Sequence, residues 1–417
     1  MARKDMAIAA RRRLSRRAFL RAAAQGLAAL AALSGCGAPN DEEIPTAPPA
    51  RSSTPPPTAS PTPPPAPTAP PTASLEARIG QMLLVGFRGP AVTPSDTIVR
   101  DIAERHLGGV VLFDYDVPSG RPLRNVQSPE QLQALVATLH EAAEEPLLVA
   151  VDQEGGHVSR LNERHGFPAT MPAEHLGRLG DLQVTHDQAG SMAATLAGMG
   201  INLNLAPVVD LRLNPENPII ARYERAFSAD PEVVAAQALA FIAAHHEQGV
   251  LTTLKHFPGH GSSQGDSHLG LVDVTHTWSR VELEPYARII AAGAADAVMT
   301  AHVFNANLDP ECPATLSPAT ITGLLRGELG YDGVVISDDM QMGAIAQQYG
   351  FEEAIRRAIA AGVDILAFSN NLAYDEAIAT RAVAAIVGLV RSGAISEARI
   401  GESYQRIRRL KSRLRAG

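Results

Sequence analysis

Leu147-Leu148-Val149-Ala150-Val151-Asp152 is a short apolar run that ends in a carboxylate, and it is the stretch that decides the fold. The five residues before the Asp are all aliphatic, which is typical of a strand buried on both faces of a parallel sheet. Runs of the same kind recur on both sides of it. The eight runs are Gln81–Phe87, Gly109–Phe113, Leu147–Val151, Ile201–Val209, Leu251–Leu254, Ala297–Thr300, Val334–Ile336 and Ile365–Phe368. This pattern predicts eight buried parallel strands.

Amphipathic segments with clear end signals separate these runs. Asp230-Pro231 provides a capping residue and a first-turn proline for one helix, which is expected to end at Gly249. Ser317-Pro318 begins another, expected to end at Gly330. Eight strand–helix units within residues 75–417 predict a single (β/α)₈ barrel. A doubly wound open sheet is the alternative, but no Gly-x-Gly-x-x-Gly follows the first strand.

Charge is distributed unevenly along the 417 residues. Residues 1–36 carry eight Lys and Arg and one Asp, whereas the rest of the chain holds 28 basic and 43 acidic residues. A body this acidic lacks the positive surface that neutralises phosphates, and aromatic residues make up only 4% of the chain. We therefore expect no nucleic-acid partner. Two cysteines, Cys36 and Cys312, are too few for a disulfide framework, and Cys312 is expected to be a free, inert thiol.

The first 36 residues have the pattern of an export signal. Arg11-Arg12-Arg13 and Arg16-Arg17 precede an apolar stretch from Ala22 to Leu33, which is too short to span a bilayer. The segment Ser15–Arg21 resembles the twin-arginine motif, and Leu33-Ser34-Gly35-Cys36 resembles the lipobox of bacterial lipoproteins, in which the Cys is lipidated. A generic signal peptide with an incidental Cys is the alternative.

Residues 37–74 are rich in Pro, Thr, Ser and Ala and nearly free of aliphatic side chains. Such a segment cannot bury a core, so we expect a disordered, semi-rigid tether. The predicted organisation is a signal segment (1–36), a tether (37–74) and a barrel (75–417). The barrel is expected outside the cytoplasm, exported by the twin-arginine route and attached to the cell membrane only through a lipid on Cys36.

Polar residues follow five of the predicted strands. They are Asp152, Asp210, Lys255-His256, His302 and Ser337-Asp338-Asp339. The carboxyl ends of the strands of a (β/α)₈ barrel converge on one face, where such enzymes place their chemistry. Taken alone, each of these residues is as easily structural as functional. Together they predict a polar pocket suited to many hydroxyl groups.

The stretch Lys255-His256-Phe257-Pro258-Gly259-His260-Gly261, followed by Asp266-Ser267-His268, resembles the signature of the β-N-acetylglucosaminidases of glycoside hydrolase family 3, which trim peptidoglycan fragments. The resemblance extends over the whole predicted barrel. The other matching segments are Ile79–Met82, Asp152–Gly156 with Arg160, Asn202–Asp210, Arg225–Ser228 and Ser337–Met340. His157 stands where relatives usually have Arg, which leaves the shape of that loop open.

Retaining hydrolysis of a glycoside needs a nucleophilic carboxylate and a proton donor. The resemblance assigns the nucleophile to Asp338, while Asp339 is expected to cap the next helix. It assigns the donor to His268, oriented by Asp266; an imidazole suits this role because histidine titrates near neutrality. Other branches of the family take an acid from a second domain; we expect none within residues 75–417, which favours the Asp266–His268 pair. The remaining matches imply that the hydroxyls of the terminal sugar are bound by Asp152, Arg160, Arg225, Lys255 and His256.

These assignments predict an exo-acting β-N-acetylhexosaminidase with no cofactor and no metal. We expect it to be a monomer that removes terminal GlcNAc from a glycan or muropeptide. A β-glucosidase or β-xylosidase of the same family and a non-catalytic glycan-binding lipoprotein remain alternatives. A metal-dependent hydrolase is disfavoured, since His256, His260, His268 and Asp338 lack metal-ligand spacing and Lys255 would repel a cation. His260 is expected to shape its loop, and His245-His246 to lie on a helix without a catalytic role.

Overall fold

The computed structural model describes residues 73–122 and 124–414, and within them an eight-stranded parallel sheet curls into a barrel. The strands are β1 (Leu83–Gly86), β2 (Gly109–Leu112), β3 (Leu148–Val151), β4 (Leu203–Asn204), β5 (Leu251–Phe257), β6 (Ala297–Thr300), β7 (Val334–Ile336) and β8 (Leu366–Phe368). Each strand pairs with the next one along the chain up to β7, and β8 pairs with β1. A parallel bridge between Ile336 and Ile365 joins β7 to β8 and closes the ring. The predicted (β/α)₈ barrel is confirmed.

Helices surround the barrel and cover the outer side of the strands. In the described part of the chain they are α1 (Leu75–Gly80), α2 (Thr97–Arg105), α3 (Pro129–Glu141), α4 (Ala173–Leu179), α5 (Leu182–Gly198), α6 (Pro231–Glu247), α7 (Glu284–Ala291), α8 (Ala319–Glu328), α9 (Gly343–Ala346), α10 (Phe351–Ala361), α11 (Ile378–Arg391) and α12 (Glu397–Lys411). Helix α8 has π geometry. The main core is continuous between the strands and the helices, because every residue of β1, β2, β3, β6 and β7 is buried.

The helix ends confirm the capping signals. The Asp230 side chain accepts a 2.8 Å hydrogen bond from the backbone nitrogen of Glu232 at the start of α6. Gly249 follows the end of that helix with a φ of 74°, a left-handed conformation that glycine adopts without steric cost. The Ser317 hydroxyl accepts a 3.0 Å bond from the nitrogen of Thr320 and so caps the start of α8.

Six of the eight apolar runs differ from the strands they form in at least one bound, and the differences at β4 and β5 have clear physical causes. The run Ile201–Val209 forms only the two-residue strand β4. Single backbone bonds to β3 and β5 continue beyond it, from the Leu205 nitrogen to the Val151 carbonyl and from the Thr253 nitrogen to the Ala206 carbonyl. A regular ladder does not continue, since Pro207 has no N–H to donate, and an isolated bridge joins Val208 to Lys255. Conversely, β5 continues beyond Leu254 to Phe257. It does so because the polar Lys255 and His256 find charged partners inside the barrel, described below.

Short paired segments project from the carboxyl ends of the strands and build the rim of the barrel. Gln153–Gly155 pairs antiparallel with Val158–Ser159 after β3, and Tyr115–Asp116 pairs with Arg121–Pro122 after β2. Val272–Asp273 pairs with Val303–Phe304, which links the loop after β5 to the loop after β6. The rim is therefore a set of braced loops.

The predicted signal segment, Cys36 and nearly all of the tether lie outside the described residues, which begin at Ala73. In the part of the chain that the structure covers, no helix combines the length and apolar character that crossing a bilayer requires.

Candidate active site

A cavity of about 440 Å³ opens at the carboxyl ends of the strands. This volume is ordinary for a small-molecule site. The cavity brings together all eight residues predicted from the sequence to act on or bind the sugar. These are Asp152, Arg160, Arg225, Lys255, His256, Asp266, His268 and Asp338.

Asp338 follows β7 and presents its carboxylate to the cavity. Its Oδ1 accepts a 2.8 Å hydrogen bond from the backbone nitrogen of Asp339, which fixes the orientation of the carboxylate. Burial favours the neutral acid, but the imidazoles of His302, His256 and His268 outweigh burial and hold the pKa of Asp338 below its ordinary value. The side chain is thus held as the carboxylate, the form in which it can act as a nucleophile.

Asp266 and His268 lie on the loop after β5 and line the same cavity as Asp338. Nδ1 of His268 lies 2.7 Å from Oδ1 of Asp266, and the same oxygen accepts a 2.9 Å bond from the His268 backbone nitrogen. The carboxylate therefore fixes the proton on Nδ1 and leaves Nε2 to act on a ligand. The His268 side chain is 48% exposed, so solvent and a leaving group can reach it.

The floor of the cavity is a cluster of four charges, Asp152, Glu154, Lys255 and Arg225. The Lys255 ammonium lies 2.7 Å from both Asp152 Oδ1 and Glu154 Oε1, and its side chain is 2% exposed. Burial lowers the pKa of Lys255, but the two carboxylates outweigh it and raise the pKa above its ordinary value. Lys255 is thus a fixed cation and a hydrogen-bond donor.

Glu154 is a member of this cluster that the sequence reasoning did not place in the site. Its carboxylate accepts two parallel bonds from Arg225, at 2.7 Å from Nε and 2.8 Å from Nη2. Arg225 and Lys255 together outweigh the effect of burial and hold the pKa of Glu154 well below its usual range. The signal was present in the Asp152–Gly156 motif, but nothing in the sequence links Glu154 to an arginine 71 positions away.

A tight turn holds Glu154 in place. Gly155 and Gly156 have φ values of 104° and 58°, and a Cβ on Gly156 would lie 2.5 Å from Cβ of Pro172. Only glycine fits this turn, which folds the hairpin back over the cavity and brings Arg160 to 3.6 Å from Asp152.

Asp210 lies behind the cavity rather than in its lining. It is buried, and its Oδ2 lies 2.7 Å from Nδ1 of His256, while its Oδ1 accepts a 2.7 Å bond from the backbone nitrogen of His260. Nε2 of His256 in turn accepts a 3.2 Å bond from Arg225. Asp210 therefore orients His256. The expectation that every polar strand end contributes to the pocket is wrong for Asp210, His302 and Ser337, which do not line it.

His302 and Asp339 are also supporting groups. His302 is fully buried, with Nδ1 2.7 Å from the Thr315 hydroxyl and Nε2 2.9 Å from the Asp339 carbonyl. The Asp339 carboxylate accepts bonds from the Ser369 nitrogen at 3.0 Å and the Gln341 nitrogen at 3.1 Å, and from the Ser369 hydroxyl. Asp339 thus secures the turn after β7 to the end of β8. It does not cap the next helix, whose N-terminal cap is Met342.

The histidines expected to be structural are bonded within the fold, although His260 also lines the cavity. His260 is buried and bonds to Ser263 at 2.7 Å and Ser267 at 3.2 Å within its own loop. His245 lies on α6 and bonds to Asn204, and burial lowers its pKa to about 4. The Cys312 thiol is free and buried. Among the described residues, no group of three or more His, Cys, Asp or Glu side chains is arranged to hold a metal ion.

His157, where the sequence departs from the family pattern, lies at the mouth of the cavity. Its Nε2 is 3.4 Å from Glu224, and its ring meets Tyr223 edge to face at 6.2 Å between centroids. The side chain is 58% exposed. The substitution therefore changes the rim of the cavity and leaves the charged floor intact.

Comparisons with known proteins agree with this geometry. Residues 74–410 match the family model described as the glycosyl hydrolase family 3 N-terminal domain. A β-hexosaminidase of Xylella fastidiosa is 39% identical over 328 residues, which cover 75% of this chain and 92% of that protein. A β-hexosaminidase of Tolumonas auensis is 38% identical over 301 residues, 70% of this chain and 85% of that one.

Solved structures of similar proteins share the overall fold. A family 3 β-N-acetylglucosaminidase from Paenibacillus superposes with a TM-score of 0.76 at 38% identity, covering 83% of this chain and 64% of that one. A β-N-acetylhexosaminidase from Beutenbergia cavernae superposes with a TM-score of 0.73 at 33% identity, covering 82% and 99%.

Proposed function

We propose a mechanism and a substrate for this chain, which belongs to glycosyl hydrolase family 3 and is a retaining, exo-acting β-hexosaminidase. The observation that carries the proposal is the convergence of Asp338 and the Asp266–His268 pair on one cavity with a charged floor. The proposal has three parts: the roles of these residues, the polymer attacked, and the place where the enzyme works.

In the first step, Asp338 attacks the anomeric carbon and the bond from that carbon to the glycosidic oxygen breaks. His268, protonated on both ring nitrogens, transfers the Nε2 proton to the departing oxygen. The bond from Asp266 to Nδ1 stabilises the imidazolium before transfer and keeps the remaining proton on Nδ1 afterwards. The products are a glycosyl ester on Asp338 and a free alcohol.

In the second step, Nε2 of the now neutral His268 accepts a proton from water. The resulting hydroxide attacks the anomeric carbon from the face that the alcohol left, and the ester bond to Asp338 breaks. Two inversions give overall retention. His268 ends the cycle protonated and Asp338 ends it as the carboxylate, so no external reagent beyond water is consumed.

Electrostatics support His268 over the carboxylates as the proton donor. Cationic neighbours outweigh burial and hold the pKa values of Asp152 and Glu154 below their ordinary values, so both are ionised and neither carries a proton to donate. The same holds for Asp210, whose partner is His256. Burial raises the pKa of Asp339, but its oxygens already accept the bonds from Ser369 and Gln341.

The charged floor is proposed to hold the terminal sugar. Asp152 accepts hydrogen bonds from sugar hydroxyls. Around it, the hydroxyls are also bound by Arg160, Arg225, Lys255 and His256, whose positions are fixed by the bonds described above. Because these side chains are held by one another before substrate arrives, little conformational freedom is lost on binding.

Peptidoglycan fragments are the proposed substrate, and the outer face of the cytoplasmic membrane is the proposed location. Support comes from the Ser15–Arg21 and Leu33–Cys36 segments, whose resemblance to an export motif and a lipobox favours the compartment that holds this GlcNAc polymer. The choice of polymer is tested by comparing two substrates. Mass spectrometry measures the rate of GlcNAc release from isolated muropeptides and from a chitin-derived disaccharide. Faster cleavage of the chitin fragment would contradict it.

The sugar preference is tested with aryl glycosides. The enzyme should hydrolyse an aryl β-GlcNAc much faster than the matching aryl β-glucoside or β-xyloside. Equal rates would favour the β-glucosidase or β-xylosidase alternative, and an absence of turnover on all three would favour a glycan-binding protein.

The catalytic roles are tested with two substitutions and two leaving groups. Asp338→Ala should abolish hydrolysis of every substrate, because no glycosyl-enzyme can form. His268→Ala should slow cleavage of a poor leaving group by about 10²–10⁴-fold, the usual contribution of general acid–base catalysis. With a dinitrophenyl glycoside, His268→Ala should still form the glycosyl-enzyme at a similar rate, because this leaving group needs little protonation. Azide should then restore turnover, because azide attacks the intermediate without a base. Equal damage with good and poor leaving groups would refute the assignment of His268.

A further inference from the structure

The loop that carries Asp266 and His268 (residues 258–271, the donor loop) is held by different segments in its two halves. Its first half is tied to two buried side chains, one on the loop after β4 and one in the turn before α7. Asn217 donates to the His260 carbonyl at 2.8 Å, and Glu282 accepts bonds from the Gly261 nitrogen at 3.1 Å and the Ser262 hydroxyl at 2.6 Å. Both Asn217 and Glu282 are fully buried. The start of the loop is thus fixed independently of the residues that do the chemistry.

The second half of the loop rests on a different element, the short helix α9 that follows the nucleophile. The backbone nitrogen of Gly343 donates to the His268 carbonyl at 3.1 Å, and that of Ala344 donates to the Ser267 carbonyl at 3.3 Å. The Gln347 side chain adds a 3.1 Å bond from Nε2 to the Leu269 carbonyl. Three successive carbonyls of the loop are therefore held by one short segment.

Close approach at Gly343 makes this contact possible. A Cβ at that position would lie 2.8 Å from the Leu269 carbonyl carbon and 2.9 Å from the His268 carbonyl oxygen. Both are backbone atoms, so they could not move aside without shifting the loop. Gly343 also lies only five residues after Asp338, so the segment holding the donor loop is a direct continuation of the strand that carries the nucleophile.

We propose that Gly343 and Gln347 are positioning residues that set the His268 imidazole against Asp338 by holding the backbone of the donor loop. The inference rests on the proposed roles of His268 and Asp338. Neither positioning residue touches the substrate: the Gln347 side chain bonds to the loop from the exposed side, and Gly343 acts through its backbone and its lack of a side chain.

Gly343→Ala and Gln347→Ala test the proposal, with Gly350→Ala as the matched control. A Cβ at Gly350 meets no atom within 4 Å, and its φ of −66° suits alanine. Misplacing a catalytic group by about 1 Å can cost about 10²-fold. We therefore expect Gly343→Ala to lower kcat on an alkyl β-N-acetylglucosaminide by roughly 10–100-fold. Gln347→Ala should lower it by about two- to tenfold, the effect of one ordinary hydrogen bond.

Two further readouts separate positioning from a general loss of structure. The first-step rate on a dinitrophenyl glycoside should stay within about threefold of the parent enzyme, since that leaving group needs little protonation. Azide should raise steady-state turnover of both variants on this substrate and leave Gly350→Ala unaffected. Equal losses on both leaving groups, or variants indistinguishable from Gly350→Ala, would overturn the proposal.

His268→Ala, assayed in parallel, distinguishes failure of this inference from failure of the proposed mechanism. If His268→Ala shows the leaving-group split and azide rescue but Gly343→Ala and Gln347→Ala do not, the positioning role is wrong. If His268→Ala itself lacks the split, the donor assignment is wrong, and the positioning proposal that depends on it falls with it. If Gly343→Ala does not fold, Gln347→Ala alone decides, because its side chain is exposed and its removal creates no clash.

Discussion

Removing the charge of Glu154 should lower the stability of the protein more than most single substitutions that keep the shape of the site. Glu154→Gln preserves side-chain size, but it leaves the cluster of Asp152, Lys255 and Arg225 with one carboxylate for two cations. The Glu154, Arg225 and Lys255 side chains are 4%, 11% and 2% exposed, so water cannot replace the lost charge. Removing one partner of a buried ion pair costs about 3–5 kcal/mol.

This cost translates into a measurable change in thermal stability. Unfolding entropy is about 2.1 cal/mol/K per residue, which for a domain of about 340 residues gives about 0.7 kcal/mol/K. A loss of 3–5 kcal/mol therefore lowers Tm by roughly 4–7 °C. Scanning calorimetry of the parent enzyme and Glu154→Gln at neutral pH measures this difference directly.

The effect should also depend on pH in a defined direction. Arg225 and Lys255 hold the pKa of Glu154 well below its ordinary value of 4.5, so the stability this group contributes is present above pH 4.5 and is lost as the pH falls further. The Tm difference between the two proteins should therefore shrink as the pH is lowered from about 6 to about 3. A difference that is constant over this range would refute the argument.

Glu353 provides a matched control on the surface. It also bonds to two arginines, at 2.7 Å to Arg356 and 2.6 Å to Arg357, but its side chain is 40% exposed. Exposed pairs contribute about 0–1 kcal/mol, so Glu353→Gln should shift Tm by no more than about 1–2 °C. If Glu154→Gln is no more destabilising than this control, the buried cluster does not have the energetic role argued for it.

Three further predictions concern other parts of the chain. Cys36→Ala should release fully active enzyme from the membrane fraction, measured by fractionation and aryl-glycoside assay; enzyme that remains wholly membrane-bound would contradict lipidation. Burial raises the pKa of Glu282 to about 7, so the stability that its neutral form contributes is present below pH 4.5 and is lost as the pH rises through 7. In urea unfolding, the free energy of unfolding of Glu282→Gln should therefore rise relative to that of the parent enzyme by up to about 3 kcal/mol between pH 5 and pH 8. Gly86→Ala would place a Cβ 1.8 Å from the Ser369 carbonyl and should cost about 1–3 kcal/mol in the same assay, whereas Gly388→Ala, in an open helix position, should be neutral or stabilising.

The strands and their order were predictable because a parallel barrel buries both faces of each strand, and aliphatic runs record that burial directly. The eight predicted site residues were also found together, since all strand ends of a barrel meet on one face. The apolar runs could not show the end of a strand that continues through polar residues. β5 extends through Lys255 and His256 because Asp152, Glu154 and Asp210 compensate those polar groups from other parts of the chain.

The partnerships behind the cavity were beyond prediction for a related reason. A strand end points into the pocket or behind it depending on loops that follow no periodic pattern. Asp210 is displaced to the rear because the loop after β5 returns the His260 nitrogen to its carboxylate, and Glu154 is brought forward because two glycines fold its hairpin over the barrel mouth. Composition and spacing identify the groups present, but these loop geometries decide which carboxylates are neutralised by cations. Asp338 lies among imidazoles instead of arginine or lysine, which is consistent with the nucleophilic role proposed for it.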